Sequence, residues 1–172
     1  MRRGTALKAV ESVRGASEDY HCVIALIQRV SSAEVRVDDH PIGAIGRGLL
    51  AMIGVERDDD ASRAERLLTR VLDYRVFPDD AGRMNLSLRQ IGGGLLLVPQ
   101  FTLVADTARG NRASFTAAGS PAAAQALFEQ LVTKALEWHS PVATGQFGAH
   151  MAVSLINDGP VTFWLETSSA EP

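Results

Sequence analysis

The sequence predicts an α+β domain: a mostly antiparallel sheet that curls toward a barrel, with two helices packed outside it. Three observations lead there. Strand-like apolar runs crowd residues 23–54, with turn residues between them. Only two later stretches carry a helical apolar period, one after Asp60 and one after Ser120. The chain then returns to two strand-like runs around "NDGPVT", Asn157 to Thr162. Many strands in meanders with few helices fit a curled sheet. A length of 172 residues suits one domain with a real core.

Residues 1–22 carry scattered charges and small residues without a period, four basic against three acidic. They read as a ragged extension on the surface, either a tag-like leader or an upstream start, with the domain spanning 23–167 and a polar tail at 168–172. "VIALIQRV" is a buried strand and "AEVRV" an alternating one, followed by turn chemistry at Asp38-Asp39-His40-Pro41. "PIGAIG" and "GLLAMIGV" are a short and a longer strand parted by Gly46-Arg47-Gly48. Asp58, Asp59 and Asp60 open the first helix, where acidic groups cap orphan N–H groups. Its buried stripe is Ala64, Leu67, Leu68, Val71 and Leu72. "YRVF" is a short strand closed by the turn "PDDAGRMN", and Gly92-Gly93-Gly94 leads into "LLLVPQFTLVA", read as one apolar strand. The second helix begins at Ser120-Pro121 with the stripe Ala124, Leu127, Phe128, Leu131, Val132 and Leu136. "AHMAVSLI" and "VTFWLE" are two last strands flanking a tip.

Composition narrows function by exclusion. The net charge is −3, so a nucleic-acid partner has to be gripped by a local basic patch. The single cysteine, Cys22, rules out an internal disulfide framework and offers no zinc cluster, as suits the cytoplasm. No apolar run approaches a membrane span, and no metal or other cofactor is expected. Phosphate-loop, zinc-protease and nucleophile-elbow signatures are missing. His21, His40, His139 and His150 fall in the extension, a turn, a helix end and a strand start, and read as solvated or capping residues.

Two short motifs are informative. In "VPQFTL", Gln100 and Thr102 are polar positions two apart in an apolar run, on one face if the run is a strand. Pro99 removes a ladder donor, so the strand either turns a polar face to solvent or stops pairing and offers its backbone to a ligand. In "NDGPVT", Asp158-Gly159 is a hairpin signal, yet Pro160 stands where the return strand should begin.

Together "VPQFTL" and "NDGPVT" resemble the paired signature motifs of the D-aminoacyl-tRNA deacylases. The likeness extends to "IQRVSSAEVRVD", "IGRGLLAMIGV", "GRMNLSL", "ADTARGNRASF" and "TGQFGAHMAVSLINDGPVT", from about Val23 to Glu166. It implies a homodimeric β-barrel with the active site at the subunit interface. The implied substrates are D-aminoacyl-tRNA and glycyl-tRNA, whose ester to the terminal adenosine is hydrolysed. It further implies a cis Gly159-Pro160 pair reaching into the other subunit's pocket to exclude L-amino acids. Arg29 would fix that loop, and Gln100, Phe101 and Thr102 would line the pocket. The family's strand motif begins with serine where this chain has Pro99, so no role of that serine carries over.

Ester hydrolysis passes through a tetrahedral oxyanion and needs an activated nucleophile and donors aimed at the charge. Thr102 either attacks the ester or serves as a polar wall, and the absence of a nearby base in the sequence favours the wall. In the family picture the ribose 2′-hydroxyl assists water, with backbone N–H groups near Phe101 and Thr102 as oxyanion donors. Arg109 and Arg112 form the densest basic spot beside the strand motif, read as a tRNA contact or as a solvated loop. Two rivals remain at this stage: a related editing module like that of archaeal threonyl-tRNA synthetases, and a dimeric barrel that binds ligand or RNA without turnover.

Overall fold

The computed structural model describes residues 22–108 and 110–167. Its organising element is β1 (Ile24–Val37), a strand of 14 residues. Along one edge it pairs antiparallel with β8 (Ala152–Glu166). Its other edge is shared: β3 (Gly48–Gly54) takes Ile24 to Val30, and β2 (His40–Ile45) takes Ala33 to Val37. Asp38 and Asp39 both have positive φ, the backbone that a two-residue hairpin needs between β1 and β2.

The sheet continues from β3 to β6 (Gly94–Pro99) and β7 (Val142–Thr144), and both of these ladders are parallel. The expected barrel-like α+β fold is present, with a mixed sheet. Parallel pairs arise because helices intervene: α1 (Ala61–Asp73) lies between β3 and β6, and α3 (Pro121–Trp138) between β6 and β7. A strand returning from a crossover helix runs parallel to the one it left. The sheet nearly closes where β2 meets β7, so tightly that a Cβ on Gly43 would sit 2.6 Å from the Thr144 carbonyl oxygen.

Two apolar layers follow from the strand alternation. On the outer face Ala25, Ile27, Leu49, Ile53, Leu95 and Leu97 pack under α1 and α3. On the inner face Val30, Val35, Ile45, Leu50, Leu96 and Val98 fill the barrel. The strands β3 and β6 are buried on both faces, which is why they read as unbroken apolar runs. Asp60 caps α1 through Arg63 N–H at 2.8 Å, and the five predicted stripe residues of that helix are all buried.

Several elements differ from their sequence reading. The strand through "VPQFTL" ends at Pro99, and Phe101–Val104 form a 3₁₀ turn. "YRVF" contributes only Phe77 to the two-residue strand β4 (Phe77–Pro78), paired with β5 (Met84–Leu86). A third helix, α2 (Leu88–Ile91), carries a capping box from Ser87 and Gln90. On α3 the stripe ends with Ala135, whereas Leu136 is 60% exposed. His150 precedes β8 in a loop rather than opening a strand. Finally, "AHMAVSLI" and "VTFWLE" do not form a hairpin. From Ala152 on, they are successive parts of the one strand β8, both paired with β1. Among the described residues no helix is long and apolar enough to cross a membrane.

The two leucines of α3 give a direct check. Leu131→Ala removes a side chain from the outer core and should cost about 2–5 kcal/mol. Leu136→Ala should stay within about 0.5 kcal/mol. Urea unfolding of the two variants measures both.

Candidate active site

Pro99 is the last ladder residue of β6, paired with Ile53. The following N–H, from Gln100, donates to the Ile53 carbonyl at 2.7 Å. The chain then turns into the 3₁₀ segment, held by Leu103 N–H on the Gln100 carbonyl and Ala105 N–H on that of Thr102, each at 3.2 Å. A helical start leaves its first N–H groups without intrahelical acceptors, and no side chain caps this one. Gln100 and Thr102 are brought together by the turn: Gln100 Nε2 donates to Thr102 Oγ1. Phe101 is 60% exposed, and its ring leans on Phe115 with centroids 5.2 Å apart.

Pro99, Gln100 and Phe101 line one side of a cavity of about 660 Å³, whereas Thr102, expected to line it as well, is not part of its wall. Phe115, Phe128, Phe147, His150 and Met151 complete much of the wall. An apolar cavity with few polar groups is the usual form of a small-molecule site. Phe115 arrives on the loop that follows the 3₁₀ turn, closed by two hydrogen bonds between Asp106 and Ser114 at 2.8 and 2.9 Å. Arg57 fastens the far side of that loop through Thr116 and Ala117 carbonyls. Arg112 is exposed on the same loop, and Arg109 lies outside the described residues.

Gly159, Pro160 and Arg29 form a second group. Thr162 pairs with Gln28 and Asn157 with Val30, so Arg29 alone faces the four residues Asp158 to Val161. "NDGPVT" is therefore a wide bulge in a continuing strand, and the Gly159–Pro160 bond within it is cis. Gly159 has φ +136°, where a Cβ would meet Val161 Cγ2 at 2.6 Å, so no other residue fits there without strain. Arg29 is 11% exposed and forks: Nη1 donates to the Val76 carbonyl at 2.6 Å and Nε to the Asp158 carbonyl at 3.0 Å. Its Nε also lies 3.2 Å from the Asp158 carboxylate.

One chain does not bring the two groups together. Pro99 stands level with Ala25, three strands across from β8, while the bulge stands level with Arg29. At ordinary sheet spacings that is roughly 14 Å across and 13 Å along. Neither Gly159 nor Pro160 lines the cavity.

A family model described as D-Tyr-tRNA(Tyr) deacylase matches residues 26–166. The chain belongs to that family. It is a hydrolase of that kind, 67% identical over 144 residues to the D-aminoacyl-tRNA deacylase of Thioalkalivibrio sulfidiphilus (strain HL-EbGR7), with 84% of this chain and 97% of the relative covered. The D-aminoacyl-tRNA deacylase of Alkalilimnicola ehrlichii (strain ATCC BAA-1101 / DSM 17681 / MLHE-1) is 64% identical, over 84% of this chain and 96% of that one. Among solved structures, one named "c-Myc DNA Unwinding Element Binding Protein" superposes with a TM-score of 0.80 at 33% identity, covering 84% of this chain and 98% of that one. A probable eukaryotic D-amino acid tRNA deacylase has a TM-score of 0.76 at 15% identity, over 85% and 100% of the two chains, and shows the shared fold.

Sequence reasoning about the family motifs picked out the residues of the 3₁₀ turn and the bulge, though as a strand and a tip, and did not assign Phe115, Phe128, Phe147, His150 and Met151 to the site. Each looked like an ordinary apolar or solvated residue, because the cavity joins segments distant in sequence. Among the described residues no cluster of His, Cys, Asp and Glu is arranged to hold a metal. Cys22 is buried against Ile24 and Val104, and its thiol is pushed up to about 11 by burial, then by Glu166, Glu56 and Asp59. A thiol so protonated is a poor nucleophile. At pH 8 a thiol reagent should label the native protein far more slowly than the urea-unfolded one. Between about pH 9 and 11 the unfolded chain ionises first, so stability should fall across that window in an unfolding series.

Proposed function

We propose that this protein hydrolyses the ester joining a D-amino acid, or glycine, to the terminal adenosine of tRNA, acting in the cytoplasm as a homodimer with composite sites. In this reading Gly159-Pro160 of one subunit enters the cavity of the other. The supporting observation is the separation of the two motifs within one chain, which a second copy resolves. The strand β8 favours such a partner, since it pairs along one edge only and exposes Ile156 and Trp164.

The chemistry then runs through backbone and substrate. Water, assisted by the ribose 2′-hydroxyl, attacks the ester carbon, and the tetrahedral oxyanion is met by the uncapped N–H groups of Phe101 and Thr102. Collapse breaks the bond to the ribose oxygen, which leaves with a proton. Thr102 acts as a polar donor beside the cavity rather than as a nucleophile: its hydroxyl already accepts from Gln100 Nε2. An aminoacyl ester is already reactive, so positioning supplies much of the rate. Rigid backbone in the bulge rejects an L side chain by steric clash while tolerating many D side chains. A pocket that selected side chains by hydrophobic fit would discriminate by only about 1–3 kcal/mol per methylene. Arg112, with Arg109 beside it in sequence, contacts tRNA phosphate.

Ester loss from D-Tyr-tRNA, L-Tyr-tRNA and Gly-tRNA tests the reading. Release of the D and glycyl esters with the L ester intact is expected. Loss of the L ester points to another editing specificity, and no loss at all overturns the activity. Thr102→Ala should lower kcat by about a hundredfold or less, whereas removal of a true nucleophile costs about 10⁴-fold or more. Arg112→Ala should weaken tRNA binding and shift the slope of log K against log salt by roughly one unit.

A further inference from the structure

The bulge in β8 raises a question that Arg29 alone does not answer. Four residues, Asp158 to Val161, have no partner on β1, yet β8 resumes its ladder at Thr162. Arg29 holds only the entry, through the Asp158 carbonyl and carboxylate. The exit is held by Asn157. Its Oδ1 accepts from Val161 N–H at 2.8 Å, and its Nδ2 donates to Thr162 Oγ1 at 3.0 Å. Gln28, the ladder partner of Thr162, donates to the same hydroxyl from Nε2 at 3.3 Å. One amide thus spans the bulge from the residue just before it to its last residue and the one just after, and the hydroxyl that receives it is tied to β1.

We propose that Asn157 and Thr162, backed by Gln28, are positioning residues that clamp the bulge shut at its base and so set where Gly159 and Pro160 stand. The inference rests on the proposed gating role of Gly159-Pro160. Its physical content is an accounting of backbone groups. Val161 N–H, drawn out of the ladder, is satisfied by a side chain instead of by water. An amide is suited to the task because it accepts and donates at once, which a carboxylate or an amine alone does not. With both ends pinned, the two residues between them have little freedom to yield to an L side chain. Selectivity that depends on backbone position requires such fixing, because small displacements of a positioned group have large kinetic effects.

The test uses two readouts on the full-length protein: amide exchange at Val161, and the ratio of kcat/KM for D-Tyr-tRNA over L-Tyr-tRNA. Asn157→Ala should speed Val161 exchange by about tenfold or more and lower the ratio by a similar factor, with a smaller fall in kcat for the D ester. Thr162→Val should lower the ratio, and Thr162→Ser, which keeps the hydroxyl, should return it to within about threefold of the parent. Unchanged Val161 exchange in Asn157→Ala, or a parental ratio in Thr162→Val, overturns the clamp. Pro160→Ala separates the two ideas. If it changes the ratio while Asn157→Ala does not, the clamp fails and the gate stands. If it leaves the ratio unchanged, the gate fails and the positioning role falls with it.

Discussion

The fold hangs on the pairing capacity of one long strand. β1 gives one edge to β8, broken only around Arg29 and Ser31, and divides its other edge between β3 and β2. Each neighbour is therefore positioned by the same backbone, and the parallel strands β6 and β7 are added beyond β3. The helices only cover what this arrangement leaves apolar. The two layers of core meet at β1, whose Ala25 and Ile27 face the helices while Val30 and Val35 face the barrel.

The two candidate site groups are places where that pairing is interrupted. Just past Pro99 the ladder makes its last bond, from Gln100 N–H to the Ile53 carbonyl, and the released chain curls so that Gln100 reaches Thr102. At Asn157 the ladder is stretched, and four residues leave the sheet before it closes again. In both, backbone polar groups are freed from the sheet at positions a rigid scaffold determines. That suits a chemistry in which the protein contributes shape and dipoles rather than an acid–base pair. Cys22, the one thiol, is buried and holds its proton, consistent with a structural place in the small cluster with Ile24 and Val104.

How much of this was legible in the sequence depended on range. The stripe of α1 was readable because a helical period is local, and all five of its residues are buried. The apolar runs of β3 and β6 were readable as strands, but their parallel pairing was not, since a run does not name its partner. Asp158-Gly159 signalled reversal, and the chain does deviate there. The long reach of β1 converts the deviation into a bulge instead of a hairpin. The helix α2 is too short to show a period, although "SLRQ" held its capping box in plain view. The motifs supplied Gln100, Thr102, Gly159 and Arg29. The phenylalanine walls of the cavity come from residues 115, 128 and 147, which only the fold brings together.

The bulge also governs which way β8 faces. Before it, Val153 and Leu155 pack into the barrel; after it, Val161 and Phe163 pack toward the helices. β1 makes the same exchange of faces through an irregularity between Val30 and Ser32. Side chains alternate with a period of two, so β8 can change faces in step with β1 only because the stretch between Asn157 and Thr162 breaks that alternation. Inserting or deleting a residue there would have to be taken up by the bulge itself, since each arm of β8 is held in register by its own ladder: "NDGPVT" behaves as a joint between two arms that face opposite ways.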